Sequence, residues 1–215
     1  FPYGVDSIRL FVKKHLIQRD ISWLSFNARV LQEANDPSVP LKERIRFLGI
    51  FSNNTDEFFR VRVATLKRMV EYADKRRNLN MHMEEDPQSI IDQIQTIVLQ
   101  QQNEFNRIWD GILKELKKEQ IFLVNEKQLN KEQKKFVTDF FDEQVRSNII
   151  PLMIESLPQL PYLRDKSIYL GVVMRKKNSA YDQKYALIEV PAKDVGRFVL
   201  LPSKPGEKQI ILLED

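Results

Sequence analysis

The sequence predicts an α+β protein: an all-helical amino-terminal domain followed by an incomplete α+β domain with antiparallel strands. Up to about residue 118, apolar residues recur at spacings of three and four, the period of a helix face. From Ser167 onward the pattern changes to short apolar and β-branched runs separated by polar, turn-forming stretches. Prolines at 37, 40, 87 and 151 fall between the periodic segments and not inside them.

Taken in order, the first helix covers residues 22–35, with Trp23, Phe26, Val30 and Ala34 at helical spacing and Leu24 and Leu31 beside them. Asp36-Pro37-Ser38-Val39-Pro40 ends it, because proline cannot continue a helix and restricts the residue before it. A second helix presents Leu41, Ile45, Leu48 and Phe51 on one face. The stretch Ser52-Asn53-Asn54-Thr55-Asp56-Glu57-Phe58 reads as an interruption, and a third helix runs from about Thr55 to Arg77. Asn-Leu-Asn-Met-His-Met-Glu-Glu-Asp (78–86) reads as a polar loop. Asp86-Pro87 is a helix-start signal, with aspartate as cap and proline at the first helical position. The helix behind it carries Ile90, Ile94, Ile97, Gln101, Phe105, Ile108, Ile112 and Leu116, a stripe long enough to pack along a bundle. Asn130 with Gln133 three residues on reads as another capped start, and Pro151 closes that helix. Four strands follow, in residues 167–175, 184–191, 196–202 and 208–215, with hairpin loops at 176–183 and 203–208. An end at Asp215, directly after a strand, suggests a fragment.

Composition narrows the chemistry. The 215 residues include no cysteine, which excludes disulfides, thiolate metal sites and a thiol nucleophile. Only His15 and His82 are present, little material for a zinc site or a histidine-based triad, and neither has a visible partner to activate it for phosphorylation. No run approaches the ~20 apolar residues that cross a bilayer, so no transmembrane segment is expected. The start lacks a signal-peptide apolar core. The net charge of +4 is spread evenly, and no nucleic-acid binding is expected from it.

Two constellations carry chemistry. In Ser-Asn-Asn-Thr-Asp-Glu-Phe, Asn54 as a helix cap would place Glu57 at the third helical position and complete a capping box, with Asp56 and Glu57 favouring the positive helix end. The same amide has a donor and an acceptor, which matches the edge of a purine, while the adjacent acids would repel a phosphate. Both uses stay open. The second constellation is basic: residues 60–77 carry Arg60, Arg62, Lys67, Arg68, Lys75, Arg76 and Arg77 against Glu71 and Asp74. That is either a solvated helix face or a polyanion contact, for which arginine's planar fork is suited.

The run Arg19-Asp-Ile-Ser-Trp-Leu-Ser-Phe-Asn27, then Val-Leu-Gln-Glu-Ala (30–34), Arg-Phe-Leu-Gly-Ile (46–50) and Ser-Asn-Asn-Thr-Asp-Glu-Phe (52–58), closely resembles the amino-terminal region of the bacterial polyphosphate kinases that work through a phosphohistidine. Similarity continues through Ile121–Leu129 and into 185–191 and 197–202, resembling that family's head domain. The resemblance implies reversible transfer of the terminal phosphate of ATP to polyphosphate, with Mg2+, in an enzyme whose catalytic domains lie beyond this chain. It implies three segments: residues 1–16 outside the resemblance, a helical amino-terminal domain at 17–118, and a truncated head domain at 119–215 used in dimerisation. The family's adenine-contacting asparagine matches Asn54, with Arg60, Arg62, Arg76 and Arg77 as candidate polyphosphate or phosphate contacts. ATP, ADP and polyphosphate are the implied partners, together with a second copy through the head domain. The implied location is the cytoplasm, with peripheral association at the inner membrane face as an option. Two departures stand out: Thr55, where the family commonly has leucine, and Ala28, where a glutamate would complete a capping box from Ser25. The alternative is a non-enzymatic helical module that binds a polyanion or nucleic acid through residues 60–77.

Overall fold

The computed structural model describes residues 17–76, 86–159, 161–175 and 183–215. They form two compact units that divide between Glu115 and Leu116.

In the first unit, α1 (Arg19–Asn35) and α2 (Leu41–Phe58) form a helical hairpin. Their antiparallel course follows from the pairs Ala34–Arg44 and Asn27–Asn54. The turn between them is held by Asp36, whose Oδ1 accepts from Ser38 N at 2.8 Å. A π-helical turn (Phe59–Val63) joins α2 to α3 (Ala64–Arg76) without a break. α4 (Pro87–Lys118) starts as its Asp-Pro signal predicts, with the Asp86 carboxylate accepting from the backbone of Gln88 and Ser89. Leu24, Phe58, Val63, Leu66, Ile90, Ile91 and Ile94 make one buried cluster. Trp23 stacks on Phe58 at 4.6 Å and 10°.

The buried face of α1 is rotated from the expected one. Asp20, Leu24, Asn27, Leu31 and Ala34 point inward, whereas Phe26 is 60% exposed. Hydrophobicity found Leu24, Leu31 and Ala34 but turned Phe26 inward, because two of the five inward positions are polar.

The π-helical turn has a packing reason. Buried positions in α2 and beyond run Leu48, Phe51, Phe58, Val63, Leu66. The step from 58 to 63 is five residues, one more than an α-helical turn accommodates, and the wider π turn absorbs it. Val63 therefore lies inward and Arg62 is directed toward α1.

In the second unit, β1 (Ile121–Leu123), β6 (Lys208–Leu212) and β5 (Phe198–Leu201) form one sheet in the order β1-β6-β5. β1 runs parallel to β6, and β5 antiparallel to it, so the sheet is mixed. The second sheet, β2-β4-β3, is antiparallel: β2 (Leu152–Met153), β4 (Gln183–Glu189) and β3 (Tyr169–Arg175). The four expected strands all form; β1 and β2, three and two residues long, were not anticipated. α5 (Lys131–Phe140) begins with the expected capping box, Asn130 and Gln133 each bonding the other's backbone N–H. Its Phe136, Val137 and Phe140 pack on Leu129, Val199, Leu201 and Ile211. The β5–β6 loop turns at Lys204-Pro205-Gly206-Glu207, where Gly206 holds φ +88 and Glu207 N donates to Lys204 O at 3.0 Å. Proline followed by a glycine of positive φ is a type II turn.

Candidate nucleotide-contact site

The expectation of a helix start at Ser52–Thr55 is corrected. Helix α2 is unbroken from Leu41 to Phe58, so Asn54 caps nothing and Asp56 and Glu57 meet no positive helix end. Asparagine and serine are poor helix formers, by some tenths of a kcal/mol each. Leu48, Phe51 and Phe58 are all buried on one stripe. Burying three such side chains outweighs that preference, since tertiary packing, more than propensity, stabilises helices in proteins. Ser25 is likewise inside α1, its hydroxyl donating to Ile21 O at 3.1 Å, so no residue at position 28 could complete a capping box from it. α1 is capped by Gln18, whose Oε1 accepts from the backbone of Asp20 and Ile21.

Asn54 is half-buried and faces α1. Its Nδ2 donates to Asn27 Oδ1 at 3.0 Å. Asn27 is fully buried, and its own Nδ2 donates to Phe51 O at 3.3 Å and Thr55 Oγ1 at 3.1 Å. Thr55 in turn donates its hydroxyl proton to Phe51 O at 2.9 Å. This network determines which way each amide points. A carbonyl only accepts, and a hydroxyl whose proton is already given can only accept as well. Asn27 must therefore present nitrogen to both, which turns its Oδ1 toward Asn54 and obliges Asn54 to present Nδ2. Asn54 is left with Oδ1 and one N–H uncommitted among the described residues. Thr55 is thus a member of this network.

Two turns further along, Asp20 and Arg62 form a two-point ion pair, Nε to Oδ1 at 2.7 Å and Nη2 to Oδ2 at 3.1 Å. Asp20 is 2% exposed. Burial acts to raise its carboxyl, and hydrogen bonds from Arg62 and Gln18 outweigh that, leaving it below the ordinary carboxylate value. The bond to Asp20 correspondingly pushes the Arg62 guanidinium up. Gln101 completes the polar seam, donating to Leu24 O at 3.0 Å from the buried face of α4. Sequence reasoning placed Gln101 on the inward stripe of α4 but missed Asp20 and Asn27 as structural groups. Their signal was present: Asp20, Leu24, Asn27, Leu31 and Ala34 alternate at spacings of four and three.

The other candidates are dispersed. Arg60 is exposed, with a loose contact to Glu57 at 3.8 Å. Arg62 is engaged by Asp20. Arg76 ends α3, and its side chain lies outside what the structure describes, as do Arg77, His15, His82 and residues 1–16. Among the described residues, no three His, Cys, Asp or Glu side chains gather as a metal site.

Two family models match the chain in order: the polyphosphate kinase N-terminal domain over residues 16–124 and the polyphosphate kinase middle domain over residues 132–215. Polyphosphate kinase of Vibrio parahaemolyticus is 40% identical over 206 residues, covering 94% of this chain and 28% of that protein. Polyphosphate kinase of Escherichia coli K12 is also 40% identical over 206 residues, covering 94% of this chain and 29% of its own length. The chain thus spans somewhat over a quarter of the relatives it matches. The crystal structure of polyphosphate kinase from Porphyromonas gingivalis superposes with a TM-score of 0.77 at 32% identity, covering 93% of this chain and 29% of that one. With two successive domain models of one family matched and the fold shared with a solved member, this chain belongs to the polyphosphate kinase family.

Proposed function

We propose that this chain is the amino-terminal part and part of the head of an enzyme that reversibly transfers the terminal phosphate of ATP to polyphosphate through a phosphohistidine. Residues 17–118 contact the adenine through Asn54, and residues 119–215 support a homo-oligomer. The observation that carries the adenine contact is the state of the Asn54 amide. It is held by Asn27 yet keeps one acceptor and one donor, the pair a purine edge requires. Phosphoryl transfer depends on positioning and charge stabilisation, so a domain that only holds the base still affects the rate. Magnesium, implied by the family, finds no ligand cluster among the described residues, and no step is assigned to it. The homo-oligomer is supported by apolar surface on the second unit: Ile150 is 78% and Tyr162 85% exposed, with Val173 and Tyr185 exposed on one face of the β2-β4-β3 sheet. The reading places the protein in the cytoplasm, at most peripheral to a membrane. Among the described residues no helix is long and apolar enough to cross one.

Replacing Asn54 in the full-length enzyme is the test. Asn54→Ala should raise the ATP KM about tenfold, the scale of one lost hydrogen bond. Thermal stability should fall in the order wild type, Asn54→Ala, Asn54→Asp, because a carboxylate would face the Asn27 oxygen. A helix cap predicts the opposite, with aspartate close to wild type. Unchanged ATP kinetics in both variants would remove the base contact.

The polyphosphate contact is a separate part of the reading and rests on Arg60, Arg76 and Arg77, with Arg62 available only in so far as Asp20 shares it. Binding of long polyphosphate should weaken with salt, and Arg76→Glu with Arg77→Glu should reduce the slope of log affinity against log salt by roughly one per lost contact. A slope untouched by the reversal makes these residues a solvated face. The alternative of a non-enzymatic module built on residues 60–77 loses Arg62, which is committed to a buried partner.

A further inference from the structure

We propose that Asn27 is a positioning residue that determines which purine the Asn54 amide accepts. The proposal rests on the base contact inferred above and extends it. An unrestrained asparagine amide turns over easily, exchanging its oxygen and nitrogen, and so it serves a hydrogen-bond donor and an acceptor equally well. Asn54 does not have that freedom. Its Nδ2 is directed at Asn27 Oδ1, and its own Oδ1 faces away. Asn27 cannot turn over to release it, because Phe51 O and Thr55 Oγ1 both demand its nitrogen and the residue is fully buried. A turned Asn27 would set its oxygen against two acceptors with no water to intervene.

Asn54 therefore presents Oδ1 at one place with its remaining N–H beside it, in an order that cannot be exchanged. A base seated with its six-position group on Oδ1 pairs there as adenine, through the exocyclic amino donor. Guanine in the same seat sets its O6 acceptor against Oδ1, which repels it. Preference for ATP over GTP thus originates one residue behind the contact, in a side chain that touches no nucleotide. Thr55 belongs to the device: having given its own proton to Phe51 O, it can only receive from Asn27.

The test measures kcat/KM for ATP and for GTP in the full-length enzyme. Asn27→Leu removes the lock with an apolar side chain of similar size and leaves no stranded polar group at position 27. It should lower the ATP-to-GTP ratio about tenfold, mainly by improving GTP. Added to Asn54→Leu, it should change the ratio no further, because the group it orients is gone. Thr55→Val withdraws one of the two acceptors that hold Asn27 and should shift the ratio the same way by less; it serves if Asn27→Leu does not fold. A fall of both activities in proportion, with the ratio constant in Asn27→Leu and Thr55→Val, overturns the lock and leaves Asn27 a packing residue. If Asn54→Leu leaves the ATP KM unaltered, the base contact fails and the lock with it. If that KM rises while the Asn27→Leu ratio stays constant, only the lock fails.

Discussion

Replacing Arg62 with alanine is expected to destabilise the helical unit by about 3 kcal/mol near neutral pH and to reverse the pH dependence that Asp20 confers. Removing one partner of a buried pair leaves the other charge uncompensated, at a cost of roughly 3–5 kcal/mol. The lower end applies because the Arg62 side chain is 35% exposed, so water already screens the pair. In the native protein the Asp20 carboxyl lies below its unfolded value of 3.8. Its contribution is therefore present above that value and is lost as pH falls through the folded pKa. In Arg62→Ala, burial, the largest influence on this carboxyl, acts with only the Gln18 amide and the Arg19 charge in opposition, and the folded pKa is expected to rise above the unfolded one. The contribution then runs the other way: it is present at low pH and is lost as pH rises through the unfolded value toward the raised one. Urea unfolding between about pH 3 and pH 7 separates the two cases, since the slope of stability against pH changes sign. Asp20→Asn combined with Arg62→Ala should recover part of the loss, as no charge remains to bury. Parallel pH profiles for wild type and Arg62→Ala would show that Asp20 does not depend on this partner.

A second large effect is expected from Glu115→Ala, about 3 kcal/mol, against about 1 kcal/mol for Arg44→Met. The asymmetry comes from exposure. The Arg44 side chain is 6% exposed and that of Glu115 40%. Arg44 Nε donates to Ala34 O at 2.8 Å, satisfying a carbonyl in the last turn of α1, and one terminal nitrogen spans both Glu115 oxygens at 2.8 and 2.9 Å. Glu115→Ala strands a guanidinium that cannot lose its proton and cannot reach water. Arg44→Met costs less, because the released carboxylate hydrates where it stands and methionine refills the channel, and the Ala34 carbonyl is the one group left without its partner. Denaturant unfolding of the two variants measures the difference. Equal losses would mean that the pair, and not the stranded cation, sets the cost.

Much of the fold was legible because its signals are local. Asp86-Pro87 starts α4 and Asn130 with Gln133 caps α5, as chain-neighbour chemistry dictates. Lys204-Pro205-Gly206-Glu207 turns because proline and glycine have few alternatives there. The four longer strands follow from their apolar runs. β1 and β2 were missed because two or three residues show no period, and each exists only through its neighbour, β6 or β4.

The candidate site was legible in identity but not in arrangement. The sequence by itself determined that helices come first and strands follow in the second half, and that Asn54 is the residue to test. Only the tertiary structure decided how Asn54 is used. The capping preference of Ser-Asn-Asn is a local energy of about 1 kcal/mol, and burial of Phe51 and Phe58 on one stripe exceeds it, so the helix runs through. The partners of Asn54, Arg62 and Arg44 stand 27, 42 and 71 residues away in the chain. No periodicity reports such pairs. They form because three helices bring polar side chains into a space without water, where each donor must find an acceptor.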